Sequence, residues 1–149
     1  MVSSSFGVGI SWEPALVSFS AQNSSRTWPR LRRAGAIGVS LLAADQTPLC
    51  RQLASREGDR FAGLDVHRSP HDALLIGGSS LWLETRVHAE VPAGDHTVVL
   101  LEVTAFADHT DAAPPGHPAP QPLPRPARAL SELQVNISAP GPRSARSVQ

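Results

Sequence analysis

The run at residues 24–27 is the strongest candidate in the sequence for ligand chemistry. Ser24, Ser25, Arg26 and Thr27 lie between an alternating apolar stretch and a short helical pattern. Three hydroxyls, the free amides of a helix start and one guanidinium together suit a phosphate, because arginine binds phosphate oxygens in a fork. The alternative is that the hydroxyls cap the helix and Arg26 is a surface residue, which from spacing alone is the commoner arrangement.

A second candidate is the sequence Gly-Asp-His-Thr at residues 94–97. A histidine at the start of a strand, beside an aspartate, could donate a hydrogen bond to a substrate or contact a flat cofactor ring. The alternative, again the commoner one, is a turn aspartate that caps backbone amides beside a solvent-facing His96. Trp28 and Trp82 could stack on a ring, although core packing is the more frequent role of such side chains.

Other catalytic and metal-binding motifs are not found in the sequence. It contains no Walker loop, no GxGxxG after a strand, and no GxSxG or HExxH motif. His67 and His71 are four residues apart, but Pro70 between them argues against a shared helical face. Cys50 has no second cysteine for a disulfide or a zinc cluster. The sequence therefore predicts no metal site.

The charge balance excludes several classes of partner. The 149 residues include no lysine, and 13 basic residues balance 13 acidic ones, so the formal net charge is zero. A neutral chain has no global electrostatic attraction for nucleic acid or for an anionic membrane. The apolar stretches are far shorter than the ~20 residues of a membrane span, and no signal peptide is recognised. We therefore expect a cytoplasmic protein that binds neither nucleic acid nor membrane.

Composition changes near Asp108 and predicts a domain boundary there. All seven aromatic residues precede Asp108, and nine of the 14 prolines follow it. Frequent prolines remove backbone donors and favour polyproline II, so residues 1–107 are the expected folded unit and residues 108–149 a proline-rich, disordered tail. The Pro-Leu-Pro-Arg-Pro run at 122–126 could bind a proline-recognising partner, but a flexible tail is the simpler interpretation.

Alternating apolar residues predict a mainly β fold with two short helices. Strands are expected over 3–11, 15–21 and 38–42, and helices over 28–34 and from an Asp45 cap through 53. A period of two over 81–91 predicts a half-buried antiparallel strand, followed by a turn at 92–95 and a returning strand over 97–106. Such a hairpin needs further strands, so the pattern predicts an antiparallel β-barrel with small inserted helices.

Read together, these segments resemble the flavin reductase-like family, whose fold is the FMN-binding split barrel. The resemblance depends on the order of several short matches: Ser-Phe at 5–6, Ser-Trp-Glu-Pro-Ala-Leu-Val at 11–17, Ser-Ser-Arg-Thr at 24–27, Val-Ser-Leu-Leu at 39–42, Gly-Asp-Arg-Phe-Ala-Gly at 58–63 and Gly-Asp-His-Thr-Val at 94–98. Each match is weak alone, but their order and spacing over residues 2–106 are specific. Family members include the small reductase components of two-component flavin monooxygenases.

The resemblance implies a homodimeric antiparallel split β-barrel that binds flavin in a groove at the dimer interface. The flavin would be FMN, or FAD or riboflavin as a substrate, and NADH or NADPH would deliver hydride to it. The implied flavin-binding residues are Ser3, Ser4, Ser5, Phe6, Ser24, Ser25, Arg26, Thr27, Ser40, Arg60 and Phe61. Residues 24–27 would hold the phosphate and ribityl end, Ser40 would lie near the isoalloxazine, and His96 would act beside the nicotinamide. The resemblance thus favours the functional interpretation of both candidates.

The sequence departs from the family pattern at both ends. Relatives usually begin well before the Ser-Phe strand, and they often end in a strand that carries histidine and an aromatic residue. Here the prolines at 122, 124 and 126 oppose a paired strand, and Ser40 stands where the family has asparagine. The barrel is therefore expected to be incomplete, either because the chain is truncated or because a dimer partner completes it.

Three hypotheses about this chain follow from its sequence. The first is an NAD(P)H-dependent flavin (FMN) reductase that supplies reduced flavin to a partner monooxygenase. The alternatives are a non-catalytic or degenerate FMN-binding split-barrel module and a truncated gene product that does not fold alone. In the first, the cofactors carry the chemistry, so no catalytic carboxylate pair or nucleophile is required.

Overall fold

A computed structural model describes residues 1–3, 5–55, 57–109, 121–122 and 135–138, with side chains for 1, 5–43, 45–55 and 57–109. These residues form mostly β-strands, together with two short α-helices and a 3₁₀ turn. The elements are β1 Val2–Ser3, β2 Phe6–Trp12, β3 Ala15–Gln22, α1 Trp28–Leu31, β4 Ile37–Leu41, a 3₁₀ turn Ala44–Gln46, α2 Thr47–Ala54, β5 Val66–Arg68, β6 Leu74–Ile76, β7 Leu81–Ala93, β8 His96–Asp108, β9 Gln121–Pro122 and β10 Val135–Ser138.

One antiparallel sheet contains most of the strands. Its order is β1-β10-β4-β7-β8-β3-β2, with β9 paired to β8, and β5 and β6 form a separate two-stranded sheet. The longest ladder joins β7 to β8 through a tight turn in which Gly94 has φ 65°. Glycine adopts this left-handed conformation without steric cost, which allows the hairpin to reverse in two residues. The prediction of a mainly β, antiparallel fold with few helices is confirmed.

The main core lies on one face of this sheet. Phe19, Ile37, Leu41, Val99 and Leu101 have at most 1% of their surface exposed. The alternation in β3 is the predicted one, since Val17 and Phe19 belong to this core while Ser18 and Ser20 alternate with them. Each such side chain contributes roughly 1.5–3 kcal/mol through burial, so this core is a main source of the stability of the sheet.

The β5–β6 hairpin covers the other face of β4 and β7. Trp82 Nε1 donates a hydrogen bond of 2.7 Å to the carbonyl of Ile76, and Leu75 packs with Trp82 in a small cluster. Residues 81–85 are therefore buried on both faces. The prediction of a half-buried strand over 81–91 is wrong for these residues, because a second layer that the sequence pattern did not show packs on them.

Both helices depart from their predicted bounds. Helix α1 ends at Leu31 instead of continuing to residue 34. Asp45 does not cap α2, because it lies inside the 3₁₀ turn and the residue before the helix is Gln46. The Gln46 side chain, which is longer than that of Asp45, accepts a hydrogen bond at Oε1 from the Ala43 amide at 2.9 Å. Its Nε2 donates one to the Gly77 carbonyl at 2.8 Å. None of the described helices is long and apolar enough to cross a membrane.

Two short segments beyond residue 107 pair with the main sheet. β9 pairs with β8 through Ala105 and Pro122, and β10 lies between β1 and β4, with Val135 opposite Leu41. The expectation that prolines would exclude Pro122 from a paired strand is wrong, because proline is tolerated on a strand that is only two residues long at the sheet's margin. The domain boundary at 107 stays a prediction, and the rest of the 122–126 run lies outside the described residues.

Candidate functional site

An open cleft of about 770 Å³ gathers most of the predicted site residues. It lies where the end of β3, the turn after it, the end of α2 and the start of β8 meet. Its lining consists of Met1, Ser5, Ser20, Ala21, Gln22, Ser24, Ser25, Arg26, Thr27, Leu53, Ala54, Arg60 and His96. Seven of the twelve predicted residues are therefore brought together, although they come from four separate parts of the chain.

The turn at residues 24–27 is built on hydrogen bonds to Ser25. Its Oγ accepts bonds from the amides of Thr27 at 3.3 Å and Trp28 at 3.2 Å, and its own amide donates to the Gln22 carbonyl at 2.9 Å. The Thr27 side chain makes no capping bond. Ser25 is thus the residue that caps α1, as the structural alternative proposed, and it uses two of the amides that were expected to be free.

Other groups of the turn remain available to a ligand. Within the described part of the chain, no group accepts a hydrogen bond from the amides of Ser24 or Arg26. Helix α1 has only four residues, so few peptide dipoles are aligned at its start. An anion would therefore be held mainly by these two amides, by the exposed Arg26 guanidinium and by the hydroxyls of the turn.

The lining of the cleft carries positive charge only. Arg26 and Arg60 lie on it, and none of the thirteen lining residues is an aspartate or glutamate. No described carboxylate forms an ion pair with either arginine. Two such cations beside several hydroxyls are the donor set that a phosphate ester with a polyhydroxyl chain requires.

His96 begins β8 at the edge of the cleft. Its Nδ1 lies 2.8 Å from Asp95 Oδ1. The hydrogen bond from His96, and then the charge of its ring, lower the pKa of the Asp95 carboxyl below its ordinary value of 3.8. Because Nδ1 is engaged, Nε2 is the ring nitrogen that has no partner among the described residues and can meet a ligand.

Three predicted flavin contacts are not among the cleft residues. Ser40 is completely buried, and its Oγ accepts a hydrogen bond of 2.9 Å from the Ile76 amide. Phe6 packs on the main core, and Phe61 packs with Leu53 in the smaller core cluster beside α2. Packing and a backbone hydrogen bond already engage these three side chains, and their contact with flavin stays a prediction.

Two predicted residues cannot be placed in full. Ser4 lies outside the described residues, and Ser3 is described only as part of β1. Ser5 is the member of this group that lines the cleft, and its Oγ accepts a hydrogen bond of 3.3 Å from the Ser20 amide.

Several lining residues were missed in the sequence. Ser20 and Gln22 occupy polar positions of β3, and the strand leads directly into the 24–27 turn, which is a signal that could have identified them. Leu53 and Ala54 gave no such signal, because an apolar residue near a helix end is ordinarily assigned to the core. Of these two, Ala54 is exposed at the cleft, whereas Leu53 is buried.

The remaining candidates have structural partners. His67 Nε2 lies 2.9 Å from Asp65 Oδ2, whereas His71 Nδ1 lies 2.7 Å from Glu84 Oε1. The two histidines therefore bind different carboxylates, and the described residues contain no group of three side chains that could hold a metal ion. Trp28 is a core residue, with Nε1 2.7 Å from the carboxylate of Glu90.

Comparison with known proteins assigns the family. A family model described as "Flavin reductase like domain" matches residues 1–123. The chain belongs to the flavin reductase-like family. It is 35% identical over 91 residues to a flavin reductase of Pseudomonas putida, a match that covers 61% of this chain and 54% of that protein. It is 31% identical over 105 residues to HsaB, the reductase subunit of a flavin-dependent monooxygenase of Rhodococcus jostii, covering 70% and 54%.

Solved structures of the family have the same fold. A homologue of nitrilotriacetate monooxygenase component B from Mycobacterium thermoresistibile superposes with a TM-score of 0.69 at 32% identity, covering 74% of this chain and 61% of that one. BorF, the flavin reductase component of a bacterial two-component tryptophan halogenase, gives 0.66 at 26% identity, covering 72% and 69%. The chain spans about half the length of the curated relatives that it matches.

Proposed function

We propose that this chain is an NAD(P)H-dependent flavin reductase that binds FMN in the cleft and supplies reduced flavin to a partner monooxygenase. One observation carries the proposal: Ser24, Arg26, Arg60 and His96 line a single cleft, and none of the described residues that line it is an aspartate or glutamate. Family membership supports the reaction class, and relatives that are named as reductase subunits of monooxygenases support the partner.

In this proposal the turn after β3 holds the FMN phosphate. The Ser24 and Arg26 amides and the Arg26 guanidinium face the phosphate oxygens, while Ser5 and Ser20 bond to the ribityl hydroxyls. Arg60 supplies a second positive charge, and the exposed Ala54 supplies an apolar contact. A negatively charged ligand of mixed polar and apolar character satisfies all of these groups at once.

Flavin and reduced nicotinamide, when bound, supply the hydride chemistry, so the protein's contribution is binding, orientation and exclusion of water. The bond between Asp95 and His96 Nδ1 fixes the orientation of the imidazole. His96 Nε2 is then held beside the cleft as a hydrogen-bonding group for the nicotinamide. No side chain is needed as a strong base, which agrees with the described lining residues, since none of them is an aspartate or glutamate.

The assembly is part of the same proposal. We infer a cytoplasmic homodimer in which the sheet forms a split barrel. The edge strand β2 supports a dimer, because two large apolar side chains that are close together on it, Ile10 and Trp12, are 49% and 64% exposed.

Arginine 26 offers the sharpest test of the phosphate site. We expect Arg26→Ala to weaken FMN binding by about 10- to 150-fold, which corresponds to about 1.5–3 kcal/mol for a hydrogen bond to a charged group. Riboflavin lacks the phosphate, so its affinity should change little. Fluorescence-quenching titrations of both flavins measure the two affinities, and Arg33→Ala, an exposed arginine outside the lining, is the matched control. An equal loss for FMN and riboflavin would remove the phosphate role.

A further inference from the structure

Asn23 connects the two halves of the cleft, although it is not itself among the lining residues. We propose that Asn23 is a positioning residue, which fixes the phosphate-binding turn at 24–27 relative to the β7–β8 turn, directly after which His96 lies. This inference rests on the proposed function, because it assigns to Asn23 the relative placement of the FMN phosphate site and the nicotinamide-side histidine.

Three hydrogen bonds define the connection. The Asn23 amide donates to the Asp95 carbonyl at 3.0 Å. The Asn23 side chain donates from Nδ2 to the Gly94 carbonyl at 3.1 Å and accepts at Oδ1 from Thr97 Oγ1 at 2.9 Å. The partners at 94, 95 and 97 therefore lie on both sides of His96 in the chain.

The position of Asn23 explains why these bonds matter for the site. The ladder between β3 and β8 ends at the pair Gln22 and His96. Asn23 is the next residue, so its bonds continue the connection one step beyond the sheet, at the point where the turn begins. Without them, the start of the turn would be held to the hairpin through the last pair of the ladder, and its end through the hydrogen bond from Trp28 Nε1 to Glu90.

The carboxamide of Asn23 is also chemically suited to making these bonds. A carboxamide has both a donor and an acceptor on one short side chain, so it can bond to a backbone carbonyl and to a hydroxyl at the same time. Aspartate could not donate to the Gly94 carbonyl, and alanine could make neither side-chain bond. The bonds of Asn23 are exposed to solvent, so they exchange with water and contribute little to folding stability. Their effect should appear in the geometry of the site.

The test is a double-mutant cycle with Asn23→Ala and Thr97→Val in the full chain. Thr104→Val is the matched control, because the Thr104 hydroxyl lies on the same strand and bonds to the Glu84 carbonyl at 3.1 Å, away from the cleft. FMN affinity, KM for NADH and the urea midpoint are measured for each variant. We expect Asn23→Ala to weaken FMN binding about tenfold, and Thr97→Val about threefold. The double variant should bind no more weakly than Asn23→Ala, while Thr104→Val binds as the unchanged chain does.

The outcomes separate this inference from the proposed function. Unchanged FMN affinity and KM in Asn23→Ala, in a chain that does bind FMN, would overturn the positioning role alone. So would a urea midpoint that falls in proportion to the loss of binding, because that is the result of a merely structural role. If Asn23→Ala does not fold, the FMN affinity of Thr97→Val tests the inference instead. An FMN affinity of Thr97→Val equal to that of Thr104→Val would overturn it. A wild-type chain that binds no flavin would overturn the proposed function, and this inference with it.

Discussion

At the scale of single residues, the fold uses some hydroxyl groups and leaves others for a ligand. The Oγ atoms of Ser25 and Ser40 accept hydrogen bonds from backbone amides, so the fold itself uses these two hydroxyls. The Ser24 and Thr27 hydroxyls have no hydrogen-bond partner among the described residues and line the cleft. Sequence alone could not make this distinction, because all four are small polar residues near strand or helix ends and only the folded backbone shows which amides they meet.

Ser40 gives a direct check of this distinction. We expect Ser40→Ala to lower the free energy of unfolding by about 1–3 kcal/mol, because the buried Ile76 amide loses its acceptor. FMN affinity should stay the same. The matched variant Ser24→Ala should show the reverse pattern, with weaker FMN binding and little change in stability. Urea denaturation and flavin titration measure both quantities, and a loss of FMN affinity in a stable Ser40→Ala protein would support the predicted flavin contact of Ser40.

The pair Asp95 and His96 predicts a pH dependence. The hydrogen bond from His96 and the charge of its ring lower the pKa of Asp95 in the folded state below 3.8. A carboxyl whose pKa is lower in the folded than in the unfolded state stabilises the fold above pH 3.8, and that contribution is lost as the pH falls through the lowered value. The Asp95 carboxyl carbon, followed by NMR, should titrate below 3.8 in the unchanged chain.

The control for that titration is His96→Ala. Without its partner, Asp95 should titrate closer to 3.8. The same midpoint in both proteins would mean that the hydrogen bond does not hold in solution, and the fixed orientation of His96 would lose its support.

At the scale of elements, long alternating segments were predicted well and short ones were not. The β7–β8 hairpin and strand β3, which leads into the 24–27 turn, follow from their period of two. The β5–β6 hairpin was missed because each of its strands has three residues, too few for a period to be recognised. That omission also explains the error in β7, since the hairpin buries the face of residues 81–85 that the alternation assigned to solvent.

Gly38 shows how closely the β5–β6 hairpin approaches β4. A Cβ at this position would lie 1.9 Å from the Leu74 carbonyl oxygen, a distance that requires the backbone of β6 to move. We expect Gly38→Ala to destabilise the protein by about 1–3 kcal/mol, the usual cost of an overpacked core. Thermal or urea unfolding measures the change.

Gly35 is the matched control for this prediction. A Cβ there would meet no atom within 4 Å, and the residue has no positive φ. Gly35→Ala should therefore change stability by about 0.5 kcal/mol or less. Equal effects of the two substitutions would show that the hairpin does not pack on Gly38 in solution.

At the scale of the whole molecule, the cleft and the sheet are assembled from distant parts of the chain. The cleft combines Ser5, the end of β3, the end of α2 and His96, and these segments are adjacent only after the sheet has formed. The resemblance to a family identified seven of its residues, because family motifs record which distant segments meet. Periodicity could not do so, since it describes one element at a time.

The sheet also includes strands that composition did not predict. β10 pairs with β4 across almost one hundred positions of sequence, Val135 opposite Leu41, and its apolar and polar residues alternate over only four residues. The proline-rich surroundings outweighed this short pattern in the sequence. The family match over residues 1–123 likewise extends past the predicted boundary at 107.

The central claim is that the cleft binds FMN and positions it for reduction by a nicotinamide. The most direct measurement is an anaerobic titration of the full chain with FMN, followed by NADH or NADPH, with flavin fluorescence and absorbance recorded together. We predict saturable quenching of FMN fluorescence and then bleaching of the flavin absorbance that depends on the protein. Quenching without bleaching would indicate a flavin-binding module and contradict the reductase activity, and the absence of both would contradict the whole account.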